Sequence, residues 1–231
     1  MDDDDRRRAA SGVAVPDFEA TLADLAPRDR YKLLTAIVIP RPIAFVTTLG
    51  PDGTVNAAPF SFFNVFSEDP PLVVLGINTK AEGALKDTTA HIRRTGEFVV
   101  HLVDEALGDA MNLAAVDFPP EMSEPEIAGL ALLPSRHVSV PRLEAAPFAL
   151  ECRRFVTLEV TNARHLIVGE VIAVHGRDGL VDPATYRIDI GAYRPVGRLF
   201  ANLYARQREI YELKRESFAE WSAKYEGTGS E

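Results

Sequence analysis

Phe148-Ala149-Leu150-Glu151-Cys152-Arg153-Arg154-Phe155-Val156-Thr157-Leu158-Glu159-Val160-Thr161 is the stretch whose pattern settles the fold class. Phe148, Leu150, Cys152, Val156, Leu158 and Val160 share one parity, while Glu151, Arg153, Thr157, Glu159 and Thr161 fill the other. Only Arg154 interrupts the apolar side. A period of two held over residues 148–160 predicts a long strand with one face buried and the other in water. Residues 165–175 (HLIVGEVIAVH) follow as a more continuous apolar run, with Asn162-Ala163-Arg164 as the hairpin connection. Two long antiparallel neighbours with several shorter strands point to a mainly β barrel or sandwich, not a parallel βαβ sheet.

Working outward, Ile43 to Leu49 is β-prone, Gly50-Pro51-Asp52-Gly53 supplies turn chemistry, and Thr54 to Ala58 returns as the second arm of a hairpin. Leu72 to Ile77 and Phe98 to Val103 are two further short strands. Three helices are predicted. Thr88 to Thr95 has Asp87 as N-cap and Gly96 as its terminating glycine. Asp104 to Ala115 starts at another capping aspartate. Residues 201–224 place Ile210, Leu213, Phe218 and Trp221 on one helical stripe. Pro119, Pro120 and Pro125 punctuate a loop over 117–126 that suits a flap or an interface arm.

Composition bounds the function. The 231 residues carry 25 Lys and Arg against 34 Asp and Glu, a net charge of −9, which disfavours nucleic acid and anionic membranes as partners. No apolar run approaches the ~18 residues of a membrane span. Residues 1–16, with the charge block Asp2 to Arg8, read as a disordered tail rather than a signal peptide, and 17–231 as one domain with a C-terminal helix. A single cysteine, Cys152, precludes an intrachain disulfide and suits a cytoplasmic setting.

Two segments carry candidate chemistry. In Asn56-Ala57-Ala58-Pro59-Phe60-Ser61-Phe62-Phe63-Asn64, small residues precede polar ones interleaved with aromatics. Small side chains let a flat ligand approach the backbone, whose N–H and C=O groups can read a heteroaromatic edge. The same phenylalanines also suit a strand and bend packed in the core. Further on, Asn78-Thr79-Lys80 and Lys86-Asp87-Thr88-Thr89 gather lysines, hydroxyls and amides at a predicted helix N-terminus. That set suits a phosphate, and it equally suits a plain capped helix with solvated lysines. No Walker A or G-x-G-x-x-G pattern is present. His91, His101, His137, His165 and His175 show no metal-ligand spacing, so no metal site is predicted. His101 and His175 read as packed and hydrogen-bonded; His137, in a loop, is the candidate functional imidazole. Cys152 reads as a buried structural thiol.

The order of these pieces resembles the flavin reductase-like family of FMN-binding split barrels. The resemblance rests on Arg41 to Thr48, Asp52 to Asn64, Asp69 to Val73, Lys86-Asp87-Thr88, Thr95 to Val100, Glu144 to Cys152, Gly169-Glu170-Val171 and Arg194 to Leu199, and spans about residues 30–205. It implies a six-stranded antiparallel split barrel, a homodimer, and FMN (or FAD) near the subunit interface. It places Thr47 and Thr48 by the cofactor, the backbone from Asn56 through Ala57, Ala58, Ser61, Phe62 and Phe63 along the isoalloxazine, and Lys86, Asp87 and Thr88 at the phosphate. His91 and His101 stand where the family often has asparagine. The implied activity is NAD(P)H-dependent flavin reduction, with hydride passing from nicotinamide to flavin N5. His137 would help to orient the nicotinamide, and a monooxygenase or other electron acceptor would be the partner. The alternatives are an FMN electron-transfer protein that does not oxidise NAD(P)H, and a split-barrel binding module without flavin.

Overall fold

A computed structural model describes residues 17–81 and 83–225. The predicted tail over 1–16 lies outside the described residues. The chain divides into two compact units, Met1–Ile39 and Pro40–Glu231. In the first, a 3-10 turn (Leu22–Asp24) precedes helix α1 (Pro27–Ile37). Pro27 opens α1, where a missing N–H leaves no hydrogen bond unmade. Arg30 ties the helix to the preceding chain by donating to the Leu25 carbonyl at 2.8 Å.

The second unit is built on strands β1 (Ala44–Leu49), β2 (Val55–Phe60), β3 (Phe63–Glu68), β4 (Pro71–Asn78), β5 (Glu97–Leu102), β8 (Phe148–Thr161) and β9 (Arg164–Gly176). They form one seven-stranded sheet in the order β2-β1-β5-β8-β9-β4-β3, antiparallel throughout. Two-stranded pairs β6 (Leu132–Leu133) with β7 (Arg142–Leu143) and β10 (Val196–Arg198) with β11 (Tyr204–Arg206) sit outside it.

The topology forces the sheet to curl. The edge strands β2 and β3 are joined only by Ser61 and Phe62. Three peptide units reach at most ~11 Å, whereas seven flat strands at ~4.8 Å spacing would hold the edges about 29 Å apart. The sheet therefore rolls into a barrel whose one unpaired seam is crossed by the Ser61–Phe62 bend. Bulges in the β8–β9 pairing near residues 151–152, 154–156 and 159–161 supply extra twist. Inside, Val46, Leu75, Ile77, Ile92, Phe98, Cys152 and Ile167 form the central cluster. Gly169 makes room for Phe98: a Cβ there would lie 2.3 Å from Cζ of the ring.

Several expectations need correction. The sheet has seven strands rather than six. The added one is β3, whose bulge between Val65 and Ser67 and exposed Val65 and Phe66 erase the alternation that betrays a strand. The alternation in β8 is buried only at its start. Phe148 and Cys152 are in the core, but Val156, Leu158 and Val160 are 38%, 49% and 61% exposed. Glu151, on the parity read as water-facing, is fully buried. The C-terminal helix covers only Phe218–Tyr225 (α5), with Phe218 and Trp221 stacked at 5.9 Å. Ile210 and Leu213 lie in irregular chain and are exposed; an amphipathic stripe holds a helix only where it covers an apolar surface. The helix predicted over 104–115 is shortened to α3 (Gly108–Leu113), because Asp104 caps a turn of its own by accepting from Leu107 N–H at 3.1 Å. Helix α2 (Asp87–Thr95) ends at Gly96, φ +73°, as its sequence predicts, but Lys86 rather than Asp87 is its N-cap.

Candidate functional site

The end of β1, the start of β2 and the first turn of α2 are joined by side chains. The register pairs Thr48 with Asn56 across β1 and β2. The Asn56 amide donates one N–H to Thr48 Oγ1 at 3.2 Å and the other to Thr88 Oγ1 at 3.1 Å. The Thr48 hydroxyl also shares a hydrogen bond of 3.1 Å with His91 Nδ1. Burial lowers the His91 pKa, Asp87 opposing and Arg94 assisting, so the ring stays neutral at pH 7. These groups are buried, so the network fixes where α2 begins relative to the hairpin.

That helix start is rich in unused donors. No side chain caps α2, so its first-turn amides keep their capacity for an outside acceptor. Thr89 Oγ1, in the same turn, is buried and has no hydrogen-bond partner among the described residues. Lys80 and Lys86 flank the turn. Lys80 Nζ contacts both Asp87 carboxylate oxygens at 3.0 Å, and Lys86 Nζ lies 3.2 Å from Asp117. A helix N-terminus with two lysines beside it is chemistry for an anion.

Other predicted residues are placed differently. Thr47 is buried on the opposite face of β1 from Thr48, as strand alternation requires, and donates to the Pro141 carbonyl at 2.8 Å. It does not join the Asn56 network. The Ala57 N–H, offered by the sequence as a ligand contact, is occupied by Glu124 Oε2 at 2.9 Å. Ala58 is half-buried. At the seam, Ser61 Oγ accepts from Arg41 Nε at 3.4 Å. Phe62 is partly exposed beneath the Arg164 guanidinium, 5.6 Å from the ring centroid, and Phe63 is in the core. The closeness of the bend to β4 is allowed by Gly76, whose N–H donates to the Phe62 carbonyl at 2.7 Å. His137 is exposed on the loop between β6 and β7.

Two participants escaped the sequence. Glu124 lies on the four-residue helix α4 (Glu124–Ile127) in the proline-rich arm, and neighbouring Ser123 Oγ donates to the Val55 carbonyl at 2.9 Å. Burial pushes the Glu124 carboxyl up against the opposing hydrogen bond from Ala57. His91, read only as a departure from the family pattern, is the partner of Thr48. Their only sequence signals were an acid amid prolines and a histidine one helical turn from Asp87. Cys152 is buried as predicted, and burial pushes its thiol far above the ordinary range. No group of three or more His, Cys, Asp or Glu able to hold a metal occurs among the described residues, nor any helix long and apolar enough to cross a membrane.

A family model described as the flavin reductase like domain matches residues 36–197. The chain belongs to the flavin reductase-like family. The matched span takes in the whole seven-stranded sheet, α2 and the seam. A Deinococcus radiodurans protein described as uncharacterized is 41% identical over 220 residues, covering 91% of this chain and 96% of that one. Among solved structures, the 2-nitrobenzoate 2-nitroreductase of Pseudomonas fluorescens is 36% identical with a TM-score of 0.81, over 87% of this chain and 98% of its own. Component B of the nitrilotriacetate monooxygenase of Bacillus cereus is 35% identical with the same TM-score of 0.81, over 86% and 99%.

Proposed function

We propose that the protein is an FMN-binding, NAD(P)H-dependent flavin reductase that hands reducing equivalents to a monooxygenase or another acceptor. One observation carries this reading. The start of α2, with uncapped amides and two lysines beside it, is locked by Asn56 to the β1–β2 hairpin. These residues fit a flavin mononucleotide. Lys86, Thr88 and the first-turn amides would hold the phosphate dianion, favoured by the helix dipole and the lysine charge. The backbone at Ala58, Ser61 and Phe62 would read the ring edge, and Thr48 and Asn56 would fix the distance between the two ends. FAD would need room beyond the phosphate.

Bound flavin would supply the hydride-accepting atom that no side chain offers. The chain's contribution is then positional: Phe62 shields one side of the seam, Arg164 above it adds positive charge, and His137 orients the nicotinamide. Likeness to a monooxygenase component B supports an oxygenase partner. Likeness to a nitroreductase supports a second reading, in which FMN stays bound and electrons pass to a small aromatic acceptor.

We also assign a cytoplasmic homodimer. The exposed apolar half of β8 supports it, and Leu158→Glu would yield a monomer by light scattering. The primary test is an absorption spectrum with added FMN, before and after anaerobic NADH or NADPH. Retained flavin that bleaches supports the reductase reading. Retained flavin that stays oxidised indicates an electron-transfer protein, and no bound flavin refutes the cofactor. Lys86→Ala should raise the FMN dissociation constant about tenfold, the scale of one charge-assisted contact; an unchanged constant refutes the phosphate role.

A further inference from the structure

A cleft outside this site lies between α3 and the β10–β11 hairpin. Its volume is about 640 Å³, within the ~300–1,000 Å³ range of small-molecule sites. Met111 of α3 is 2% exposed, packs in the cluster with Phe45 and Ala57, and gives the cleft an apolar base. A Cβ at Gly108 would meet nothing within 4 Å, so the helix wall is open there. On the hairpin wall, Tyr204 donates its hydroxyl to Asn112 Oδ1 at 3.3 Å, and the Arg198 guanidinium lies 4.5 Å from the ring centroid. Tied at its hydroxyl and stacked by a cation, the ring is a fixed aromatic surface.

The two walls carry opposite charges. Asp109 on α3 and Asn202 on the hairpin make no hydrogen bond or ion pair among the described residues. On the hairpin side, Arg208 grips both Glu105 oxygens at 2.9 and 2.6 Å, and Arg206 Nε lies 3.1 Å from the second. Hydrogen bonds from Arg208, then the charges of Arg208, Arg206 and Arg194, hold the Glu105 carboxyl below its ordinary range. Three guanidiniums thus face two carboxylates, on a chain whose net charge is −9.

Each wall selects a different chemical group. A carboxylate accepts only, so Asp109 calls for hydroxyl donors; a guanidinium donates only, so Arg206 calls for an anion. The aromatic surface suits a flat ring, and carboxamides such as those of Asn112 and Asn202 read the donor and acceptor edge of a base. An aromatic amino acid would supply a ring and two charges but would leave the carboxamides unused. We propose that this cleft binds a nucleoside 5′-phosphate, with the base on Tyr204, the ribose diol on Asp109 and the phosphate on Arg206.

Isothermal titration of the flavin-free protein with AMP tests this without involving the reductase reading. Wild type should bind AMP with a dissociation constant below about 1 mM. Gly108→Leu, which fills open space with a good helix former, and Arg206→Gln should each weaken it at least about tenfold. Adenosine should be insensitive to Arg206→Gln, and Asp109→Asn should erase the preference for AMP over its 2′-deoxy form. Arg206 is 70% exposed, so its variant carries the test even where Gly108→Leu does not fold. No binding at millimolar AMP overturns the proposal. So does phenylalanine competing as well as AMP, or AMP binding that is lost in Lys86→Ala and kept in the cleft variants. NADH and FAD share the adenylate group, and the Gly108 variant separates them. Weakened NADH with reduced nicotinamide mononucleotide unchanged assigns the cleft to the reductant, and weakened FAD with FMN unchanged assigns it to the flavin. Weakened AMP alone assigns it to a free nucleotide, and each of these three sustains the proposal.

Discussion

Asn56→Ala tests the physical account of the site most directly. The side chain makes two buried hydrogen bonds, to Thr48 Oγ1 and Thr88 Oγ1. The two hydroxyls fare differently when it is removed. Thr48 keeps His91 as a partner, whereas Thr88, 1% exposed, keeps no hydrogen bond among the described residues. Two net hydrogen bonds are worth about 1 kcal/mol each, and one orphaned buried hydroxyl costs about 1–3 kcal/mol, part of which is the same loss counted from the other side. The expected destabilisation is about 2–4 kcal/mol, or roughly 5–12 °C in Tm for a domain of this size. Urea unfolding of the flavin-free protein by far-UV circular dichroism gives the number. Thr47→Val is the control, since it breaks a single bond, to the Pro141 carbonyl, and should cost about 1 kcal/mol. The FMN dissociation constant should also rise at least about tenfold in Asn56→Ala, because the start of α2 is no longer held to the hairpin. A loss under about 0.5 kcal/mol, or one no larger than that of Thr47→Val, would refute the idea that this network fixes the helix.

His101 makes stability depend on acid. Its Nδ1–H donates to the Phe45 carbonyl and its Nε2 accepts from Leu143 N–H, both at 2.9 Å, and burial lowers its pKa from 6.5 to about 4. The unfolded chain takes up the proton that the folded chain refuses. This contribution is therefore complete above about pH 6.5 and is lost, by about 3 kcal/mol, as pH falls to 4. His101→Asn, which can supply a donor and an acceptor without titrating, should flatten urea midpoints across that window, leaving the same-signed contribution of His91; parallel curves would refute the assignment. Gly169→Ala should cost at least about 2 kcal/mol, since overpacking a core forces rings off their rotamers and its Cβ would lie 2.3 Å from Phe98 Cζ. A melting temperature within 2 °C of wild type, a shift under ~1 kcal/mol, would contradict this. Asp117→Asn frees Lys86 from its exposed ion pair and should tighten FMN binding about threefold at low salt, with riboflavin unaffected. Titration by flavin fluorescence decides, and equal or weaker FMN binding tells against Lys86 as a phosphate ligand.

Most of the barrel was legible because its strands have regular local signals. The β1–β2 hairpin follows from Gly50 to Gly53, and β4, β5, β8 and β9 from their apolar runs or alternation. What failed to show was decided by long-range partners. β3 has a bulge and exposed aromatics, so only its pairing with β4 reveals it. The stripe through Ile210 and Leu213 has helical spacing but no apolar surface to lie on. The sequence put Asn56, Thr88 and Lys86 in its two candidate segments, and the fold joins Asn56 to Thr88. Glu124 was not legible, because an acid becomes a buried acceptor only when the fold brings an unpaired N–H, here that of Ala57, against it.

β8 shows how one pattern can be right about periodicity and wrong about environment. The alternation correctly gives a strand through Thr161, but it treats each face as uniform along its length. Two local facts divide the faces. At Glu151 the water-facing parity is covered, because a loop lays three amides and a histidine across it, and a carboxylate so solvated by protein needs no water. From Val156 onward the apolar parity faces outward, because the bulge between Arg154 and Val156 swaps the two faces, so that Thr157 and not Val156 pairs with the core residue Ile167, and nothing in the described chain covers it. The buried charge at Glu151 is accounted for within the chain, whereas Val156, Leu158 and Val160 stay exposed among the described residues. The first is explained by holding a loop in place, the second by the homodimer proposed above.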